Sequence, residues 1–273
     1  MQHKNVAFIG AGNMTKAIIS GMVHNGYPAE KIMATNRSEG KLVDLRETLA
    51  IRTSTHNQDA LDFAEVIVLS VKPQMMADML QPLQSHADIA NKLFVSVAAG
   101  LPTARLQTML GGEYAVVRVM PNTPSAIGKG MSGLYANAEV NAEQRQFAND
   151  MMEQTGEVVW VDEESMIDGV IAAAGSSPAY FFLFLEAMQH KAEALGFTPN
   201  QARKMVQQAM LGSAELVCKN ENVPLSELRN QVTSKGGTTA QAVAHLQKSG
   251  LETIVGDAMQ AAVDRAKEMS EQL

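Results

Sequence analysis

The stretch Val6-Ala7-Phe8-Ile9-Gly10-Ala11-Gly12-Asn13-Met14-Thr15 decides the fold of this chain. Its apolar run leads into two glycines, and the helical pattern of residues 16–23 follows directly. A glycine turn between a buried strand and a helix is the fingerprint of dinucleotide-binding folds. Gly10 is expected to make the tight turn, and Gly12 to let the backbone approach a pyrophosphate at the free N–H groups of the helix start. We therefore predict that Gly10, Ala11, Gly12, Asn13 and Met14 bind a dinucleotide.

Thr15 departs from this fingerprint, which has a small residue at the third position. A branched side chain there is expected to crowd the contact between helix and strand. The alternative for the whole stretch is a turn in which the glycines are only structural.

The alternation of strand and helix patterns continues to about residue 162. Seven short apolar runs predict strands at residues 6–9, 31–35, 66–71, 94–97, 115–119, 133–135 and 158–161. Continuously apolar runs such as Val66-Ile67-Val68-Leu69 predict parallel strands covered on both faces. We predict a doubly wound α/β fold, with a Rossmann domain over residues 1–162.

Residues 163–273 contain helical patterns only and predict a helical domain. Asp162 is expected to cap a helix that reaches residue 174, and Thr198-Pro199-Asn200-Gln201 is a capping box. Segments 167–174 and 179–185 are apolar nearly all the way round, and such helices must be buried. We infer a partner subunit; burial against the chain's own Rossmann domain is the alternative.

The composition restricts the partners. A net charge of −7 argues against nucleic acid and anionic membranes. The single cysteine, Cys218, excludes an internal disulfide, and the six histidines lack metal-site spacing. A leader sequence is not evident, and Gly175-Ser176-Ser177-Pro178 is expected to interrupt the longest apolar stretch. We expect a cytoplasmic protein without a membrane span or a metal.

The residues after the second strand bear on the choice of dinucleotide. NAD-binding domains usually place an acidic residue there, whereas this chain has Asn36-Arg37-Ser38. Hydrogen-bond donors without a repelling carboxylate favour a 2′-phosphate, and therefore NADP(H). Glu39 follows and leaves use of NAD(H) open. A solvated loop charge is the alternative for Arg37.

Three further strand ends are expected at the same edge of the sheet. Val71-Lys72-Pro73 follows one strand. Lys72 is expected to lie beside the cofactor; a lysine that only faces solvent is the alternative. Ala98-Ala99-Gly100 is small enough to let a flat ring approach, and Asn122 follows the next strand; tight packing alone is the alternative for both.

A second glycine-rich loop precedes a helix in the other half of the chain. Its residues are Ser234, Lys235, Gly236, Gly237, Thr238 and Thr239. Free N–H groups at such a helix start bind small carboxylates. The alternative is that Thr239 only caps the helix.

Together these motifs resemble the pyrroline-5-carboxylate reductase family over essentially the whole chain. The more specific matches are Gly175-Ser176-Ser177-Pro178-Ala179-Tyr180 and Gly236-Gly237-Thr238-Thr239; Ile9 to Met14, Val71-Lys72-Pro73, Ser96 to Gly100 and Met120 to Pro124 also match. The resemblance implies NADPH-dependent reduction of the C=N bond of 1-pyrroline-5-carboxylate to proline, in interleaved dimers. It implies an active site between the nicotinamide of one subunit and the glycine loop of its partner.

The resemblance also assigns individual roles. Asn57 would contact the adenosine end of NADP, and Thr239 would hydrogen-bond the ring nitrogen of the substrate as the catalytic residue. Lys235, Gly236, Gly237 and Thr238 would hold the substrate. Lys235 stands where a proline is expected, which puts the rigidity of the loop in question and adds a cation for the substrate carboxylate.

Two other functions compete with this one. A β-hydroxyacid dehydrogenase has the same two-domain plan, but it needs a lysine in the segment 175–186, which contains none. The second competing function is that of a non-catalytic module that binds NADPH.

Overall fold

A computed structural model describes residues 3–272. Within them one sheet has the strand order β3-β2-β1-β4-β5-β6-β7-β8. The strands are β1 (Val6–Ile9), β2 (Ile32–Thr35), β3 (Arg52–Ser54), β4 (Val66–Leu69), β5 (Leu93–Ser96), β6 (Val116–Met120), β7 (Gly130–Ala136) and β8 (Gly156–Trp160). The order reverses at the β1–β4 pair, so a crevice for a ligand opens at the carboxyl ends of these strands. The predicted doubly wound α/β fold is confirmed.

Two strands differ from the prediction. β3 was missed because Arg52-Thr53-Ser54 is polar; it pairs with β2 from the outer edge of the sheet. β7 runs antiparallel to β6 and parallel to β8, a reversal that the prediction of parallel strands from the continuously apolar runs did not include.

Six helices belong to the sheet-containing part of the chain. They are α1 (Asn13–His24), α2 (Gly40–Leu49), α3 (Gln58–Phe63), α4 (Met76–Leu80), α5 (Thr103–Leu110) and α6 (Ala142–Glu153). Both faces of the sheet are covered. Phe8 packs with Ile18 in one core cluster, and its neighbour Ile9 packs with Leu61 in the other. Because successive strand residues point to opposite faces, one apolar run serves both clusters.

The second half is helical throughout, as predicted. Its helices are α7 (Met166–Val170), a π-turn (Ile171–Gly175), α8 (Ser177–Ala194), α9 (Pro199–Lys219), α10 (Leu225–Gln231), α11 (Thr238–Lys248) and α12 (Leu251–Gln272). The capping box of Thr198 and Gln201 is confirmed. The prediction that Asp162 caps α7 is wrong, because α7 begins only at Met166, after Ser165.

The predicted irregularity at Gly175–Pro178 is present, since the π-turn ends at Gly175 and α8 begins at Ser177, but it does not shorten the apolar stretch as predicted. The Ser176 N–H donates to the Ile171 carbonyl at 2.8 Å, and this π-type bond carries the helical path into α8. The resulting stretch Met166–Ala194 is long and apolar enough to cross a membrane, by length and composition only. Such a stretch is weak support for a membrane span, because helices covered by other protein share these properties.

The chain divides into two compact units. Residues up to Pro178, together with those from Ala261 onward, form the first, and Ala179–Gln260 forms the second. The two apolar segments behave differently in the single chain. In segment 167–174, Ile167, Ile171 and Ala172 are buried. In segment 179–185, the large apolar side chains Phe181, Phe182, Leu183 and Phe184 are exposed.

Candidate active site

The glycine turn after β1 has the geometry that its sequence predicts. Gly10 has φ +109°, and a Cβ placed on it would lie 2.7 Å from the Ser70 carbonyl oxygen. Only glycine fits such a position. The Gly10 N–H donates to the Thr35 carbonyl at 2.8 Å, which ties the turn to the end of β2.

Thr15, which was expected only to crowd the contact between helix and strand, forms a hydrogen bond to the turn. Its side chain is fully buried, and its Oγ1 donates a hydrogen bond to the Gly10 carbonyl at 2.6 Å. The hydroxyl therefore holds the turn in place, a role that the small residue of the fingerprint does not have.

Space for a ligand opens at the start of α1. Gly12 is the N-cap residue, and a Cβ built on it meets nothing within 4 Å. A glycine cannot cap a helix with a side chain, so the first N–H groups of α1 are available to a bound anion. This is the arrangement that a pyrophosphate needs.

A cavity of about 80 Å³ adjoins this turn at the ends of β1 and β2. Its lining residues are Ile9, Gly10, Asn36, Arg37, Asn57, Val71, Met75 and Met79. An open depression of about 300 Å³ shares Arg37, Asn57 and Met79 with it and adds Thr55, His56, Gln58, Pro82 and Leu83. The methionines and the residues that flank Asn57 were not predicted. The residues that flank Asn57 could have been predicted if β3 had been recognised, because Thr55 directly follows the end of that strand.

The loop 36–38 presents Arg37 outward. Asn36 Nδ2 donates to the Ser38 carbonyl at 3.0 Å and lies 3.3 Å from Ser38 Oγ, so these two side chains brace the loop. Arg37 is exposed and lines both the cavity and the depression. A guanidinium beside an adenosine-sized opening is suited to a 2′-phosphate.

Asn57 lines the same two concavities as Arg37. Its Oδ1 accepts a hydrogen bond from Thr35 Oγ1 at 2.8 Å, and Thr35 is fully buried. With its oxygen engaged, the side-chain amide has its N–H donors left for a ligand.

The remaining strand ends contribute in different ways. Val71 lines the cavity, Lys72 is exposed, and Pro73 begins a 3-10 turn that leads into α4. In the loop after β5, Ala98 is buried and Gly100 has φ +76°, while Ala99 is half-buried between them. The loop therefore exposes little side-chain bulk, as expected for a surface that a flat ring approaches.

Asn122 is fixed by protein contacts. Its Nδ2 donates to the Ala174 carbonyl at 3.0 Å, and its Oδ1 accepts from the Met131 N–H at 2.9 Å. The side chain is buried and joins the end of β6 to the π-turn. A direct contact between Asn122 and the cofactor stays a prediction.

The second glycine-rich loop lies in the other compact unit. Gly236 has φ +75°, and Gly237 is the N-cap residue of α11. Thr238 is therefore the first helical residue, and the alternative that Thr239 caps the helix is wrong. Thr239 and Lys235 are both exposed.

This fold and the glycine turn at this edge of the sheet define a protein of the dinucleotide-binding class. Comparison with known proteins narrows the class. A family model for pyrroline-5-carboxylate reductase dimerisation matches residues 164–269, and one described as NADP oxidoreductase, coenzyme F420-dependent, matches residues 5–100. Pyrroline-5-carboxylate reductases of Vibrio alginolyticus and Haemophilus influenzae are 55% and 46% identical to the chain, each comparison covering 98% of both proteins. The chain belongs to the pyrroline-5-carboxylate reductase family.

Solved structures agree with this assignment. The pyrroline-5-carboxylate reductase of Coxiella burnetii is 39% identical with a TM-score of 0.93, covering 98% of this chain and 99% of that one. The Plasmodium falciparum pyrroline carboxylate reductase, solved with NADP bound, is 27% identical with a TM-score of 0.88 and 99% coverage of both chains. The protein is an NAD(P)H-dependent enzyme that reduces 1-pyrroline-5-carboxylate to L-proline, the last step of proline biosynthesis. The two competing functions are not supported.

Proposed function

We propose that residues 1–162 of this chain bind NADPH and residues 163–273 bind the substrate and the partner subunit. The observation that carries the first assignment is the Gly10 turn beside the cavity that contains Arg37 and Asn57. The decisive assay follows NADPH absorbance after addition of pyrroline-5-carboxylate. Turnover with NADPH supports a site that combines the two parts of the chain, and NADPH binding without oxidation would favour a non-catalytic module instead.

We assign a part of NADPH to each group of predicted residues in the Rossmann domain. Gly10, Ala11, Gly12, Asn13 and Met14 would hold the pyrophosphate at the start of α1. Asn36, Arg37, Ser38 and Asn57 would hold the adenosine and its 2′-phosphate. Val71, Lys72 and Pro73 would border the ribose, and Ala98, Ala99, Gly100 and Asn122 the nicotinamide. The cofactor, when bound, supplies the hydride.

We assign substrate binding to the second glycine-rich loop. We assign the pyrroline carboxylate to the N–H groups at the start of α11, with Lys235, Gly236, Gly237 and Thr238 around it. A protonated imine accepts hydride far more readily than a neutral one, so a hydrogen-bond donor at the ring nitrogen aids transfer. Thr239 is assigned this role. Positioning of the two reactants can supply most of the rate.

A homodimer of interleaved helices is proposed for the assembly. Its support is the exposed apolar surface of α8, which water would otherwise contact. The active site then combines the nicotinamide of one subunit with the Thr239 loop of its partner. Analytical ultracentrifugation tests this: an active species that sediments as a monomer would contradict it.

The enzyme is further proposed to act in the cytoplasm on a small-molecule substrate, without nucleic acid, membrane or metal. The net charge of −7 and the role of α8 as a subunit interface support this. Cell fractionation with a membrane wash tests it, since a membrane-spanning protein would stay with the pellet.

A further inference from the structure

A buried arginine lies below the nicotinamide edge and has no part in the chemistry described so far. Arg118 of β6 is 4% exposed. One of its terminal nitrogens lies 3.3 Å from Glu164 Oε1, and the other lies 3.6 Å from Asp168 Oδ1. A guanidinium can be buried at this depth only if it is paired with acidic groups.

The Glu164 carboxylate has a second partner. Its Oε1 accepts from the Thr103 N–H at 2.7 Å, and its Oε2 accepts from Thr103 Oγ1 at 2.8 Å. Thr103 is the first residue of α5, so a negative charge here also complements the positive end of the helix. Glu164 therefore joins the start of α5 to Arg118 of β6.

The two residues that Glu164 joins, Thr103 and Arg118, each lie next to a loop assigned to the nicotinamide. Thr103 closes the loop that carries Ala99 and Gly100, and β6 ends just before Asn122. Asn122 in turn binds the Ala174 carbonyl of the π-turn. Two loops of the cofactor edge are thus tied to one segment, residues 164–175, which contains the turn before α7, α7 itself and the π-turn.

Stability alone does not account for such a pair. A buried ion pair often stabilises a fold no better than apolar residues of the same volume, because both charges lose their hydration. What the pair imposes is a defined separation between the groups that it joins.

We propose that Glu164 is a positioning residue for hydride transfer: its carboxylate holds the 98–100 loop in register with the end of β6. Hydride transfer requires the reacting atoms at about 3–3.5 Å, and a shift of about 1 Å costs on the order of a hundredfold in rate. A partial loss of register should therefore lower kcat and leave ground-state binding of NADPH nearly intact. This inference rests on the assignment of residues 98–100 to the nicotinamide.

The test uses Glu164→Gln in the full-length enzyme. Glutamine keeps the size and one acceptor for Thr103 but removes the charge that faces Arg118. We expect kcat to fall about tenfold, while the NADPH Kd stays within about twofold and the sedimentation coefficient is unchanged. Glu143→Gln is the matched control, because Glu143 forms an ion pair with Lys4 on the surface; its kcat should equal that of the wild type.

Thr103→Val gives an independent measurement, since it removes only the hydroxyl that contacts Glu164. We expect a smaller fall in kcat, about threefold, with NADPH affinity preserved. The inference is overturned if kcat of a folded Glu164→Gln enzyme stays within twofold of the wild type. It is also overturned if the loss of kcat is matched by loss of NADPH affinity or of the dimer. Should Glu164→Gln not fold, an unchanged kcat in Thr103→Val overturns it.

Failure of the underlying assignment would look different. Ala99→Leu places bulk on the loop and should lower kcat/KM at least tenfold if the nicotinamide lies there. An unchanged kcat/KM in Ala99→Leu removes the loop from the site, whatever the result for Glu164. A wild-type enzyme without turnover would contradict the reaction itself.

Discussion

Thr35, buried at the end of β2, donates a hydrogen bond from Oγ1 to Asn57 Oδ1 at 2.8 Å. The two residues are 22 positions apart, and the bond engages the side-chain oxygen of Asn57, a residue that lines the same cavity as Arg37. A buried residue without ligand contact thus sets the orientation of a predicted cofactor contact.

Replacing Thr35 by valine tests this relationship. Valine keeps the shape but removes the hydroxyl, so Asn57 is free to rotate. Loss of one hydrogen bond of about 1 kcal/mol predicts an NADPH Kd raised about fivefold. Fluorescence titration with NADPH measures it. Thr35→Ser, which keeps the hydroxyl, is the control and should bind like the wild type. Equal affinity in Thr35→Val would show that Asn57 needs no such support.

Arg37→Ala tests the 2′-phosphate assignment. Loss of a charge-assisted hydrogen bond costs about 1.5–3 kcal/mol, or roughly 10- to 150-fold in affinity. NADPH should weaken by this factor, whereas NADH, which lacks the phosphate, should bind almost unchanged. Lys41→Ala removes an exposed cation of α2 outside both concavities and should affect neither cofactor. Equal losses of NADPH and NADH in Arg37→Ala would refute the assignment.

Thr15→Val tests the support of the glycine turn. The substitution leaves the Gly10 carbonyl without its side-chain donor, which is expected to cost about 1–2 kcal/mol of folding free energy. Urea denaturation measures this cost. NADPH should also bind more weakly, because the turn is no longer held. Thr15→Ser keeps the donor and should show a smaller change in both. If Thr15→Val matches the wild type in both measurements, the hydroxyl is dispensable.

Thr239→Val tests the assigned hydrogen bond to the substrate nitrogen. Because Gly237 is the N-cap residue, loss of the Thr239 hydroxyl should leave the melting temperature nearly unchanged. By analogy with a deleted oxyanion-hole donor, kcat should fall about 10²- to 10³-fold. Thr239→Ser should keep most of the activity.

Thr238→Val is the comparison variant for Thr239, since it changes the neighbouring exposed residue in the same turn, which is assigned to the substrate carboxylate and not to the ring nitrogen. Its kcat should fall much less. If Thr239→Val folds, binds NADPH and turns over within about threefold of the wild type, proton donation must come from water instead.

Much of the fold could be predicted from the sequence. Continuous apolar runs located β1, β4, β5 and β6 to within a few residues, because a strand covered on both faces must be apolar along its length. Shorter apolar runs also indicated β2, β7 and β8, although β8 lies at the edge of the sheet and alternates half-buried with exposed residues. Thr198 located the start of α9 through its capping box. Strand β3 was not predicted because it is short and polar. It lies at the edge of the sheet, where a strand pairs with only one neighbour.

Local chemistry in the sequence by itself determined the class of the protein: a glycine turn between strand and helix, donors after the second strand and a helical second half. Each of these features depends on residues that are close together in the sequence, so the sequence alone reveals it. Only the tertiary structure decided that Thr15 supports the turn and that Thr35 orients Asn57. It also decided that Glu164 joins Thr103 to Arg118, from which it is 61 and 46 positions distant. Such contacts arise because packing brings together polar groups that must find partners once they leave water.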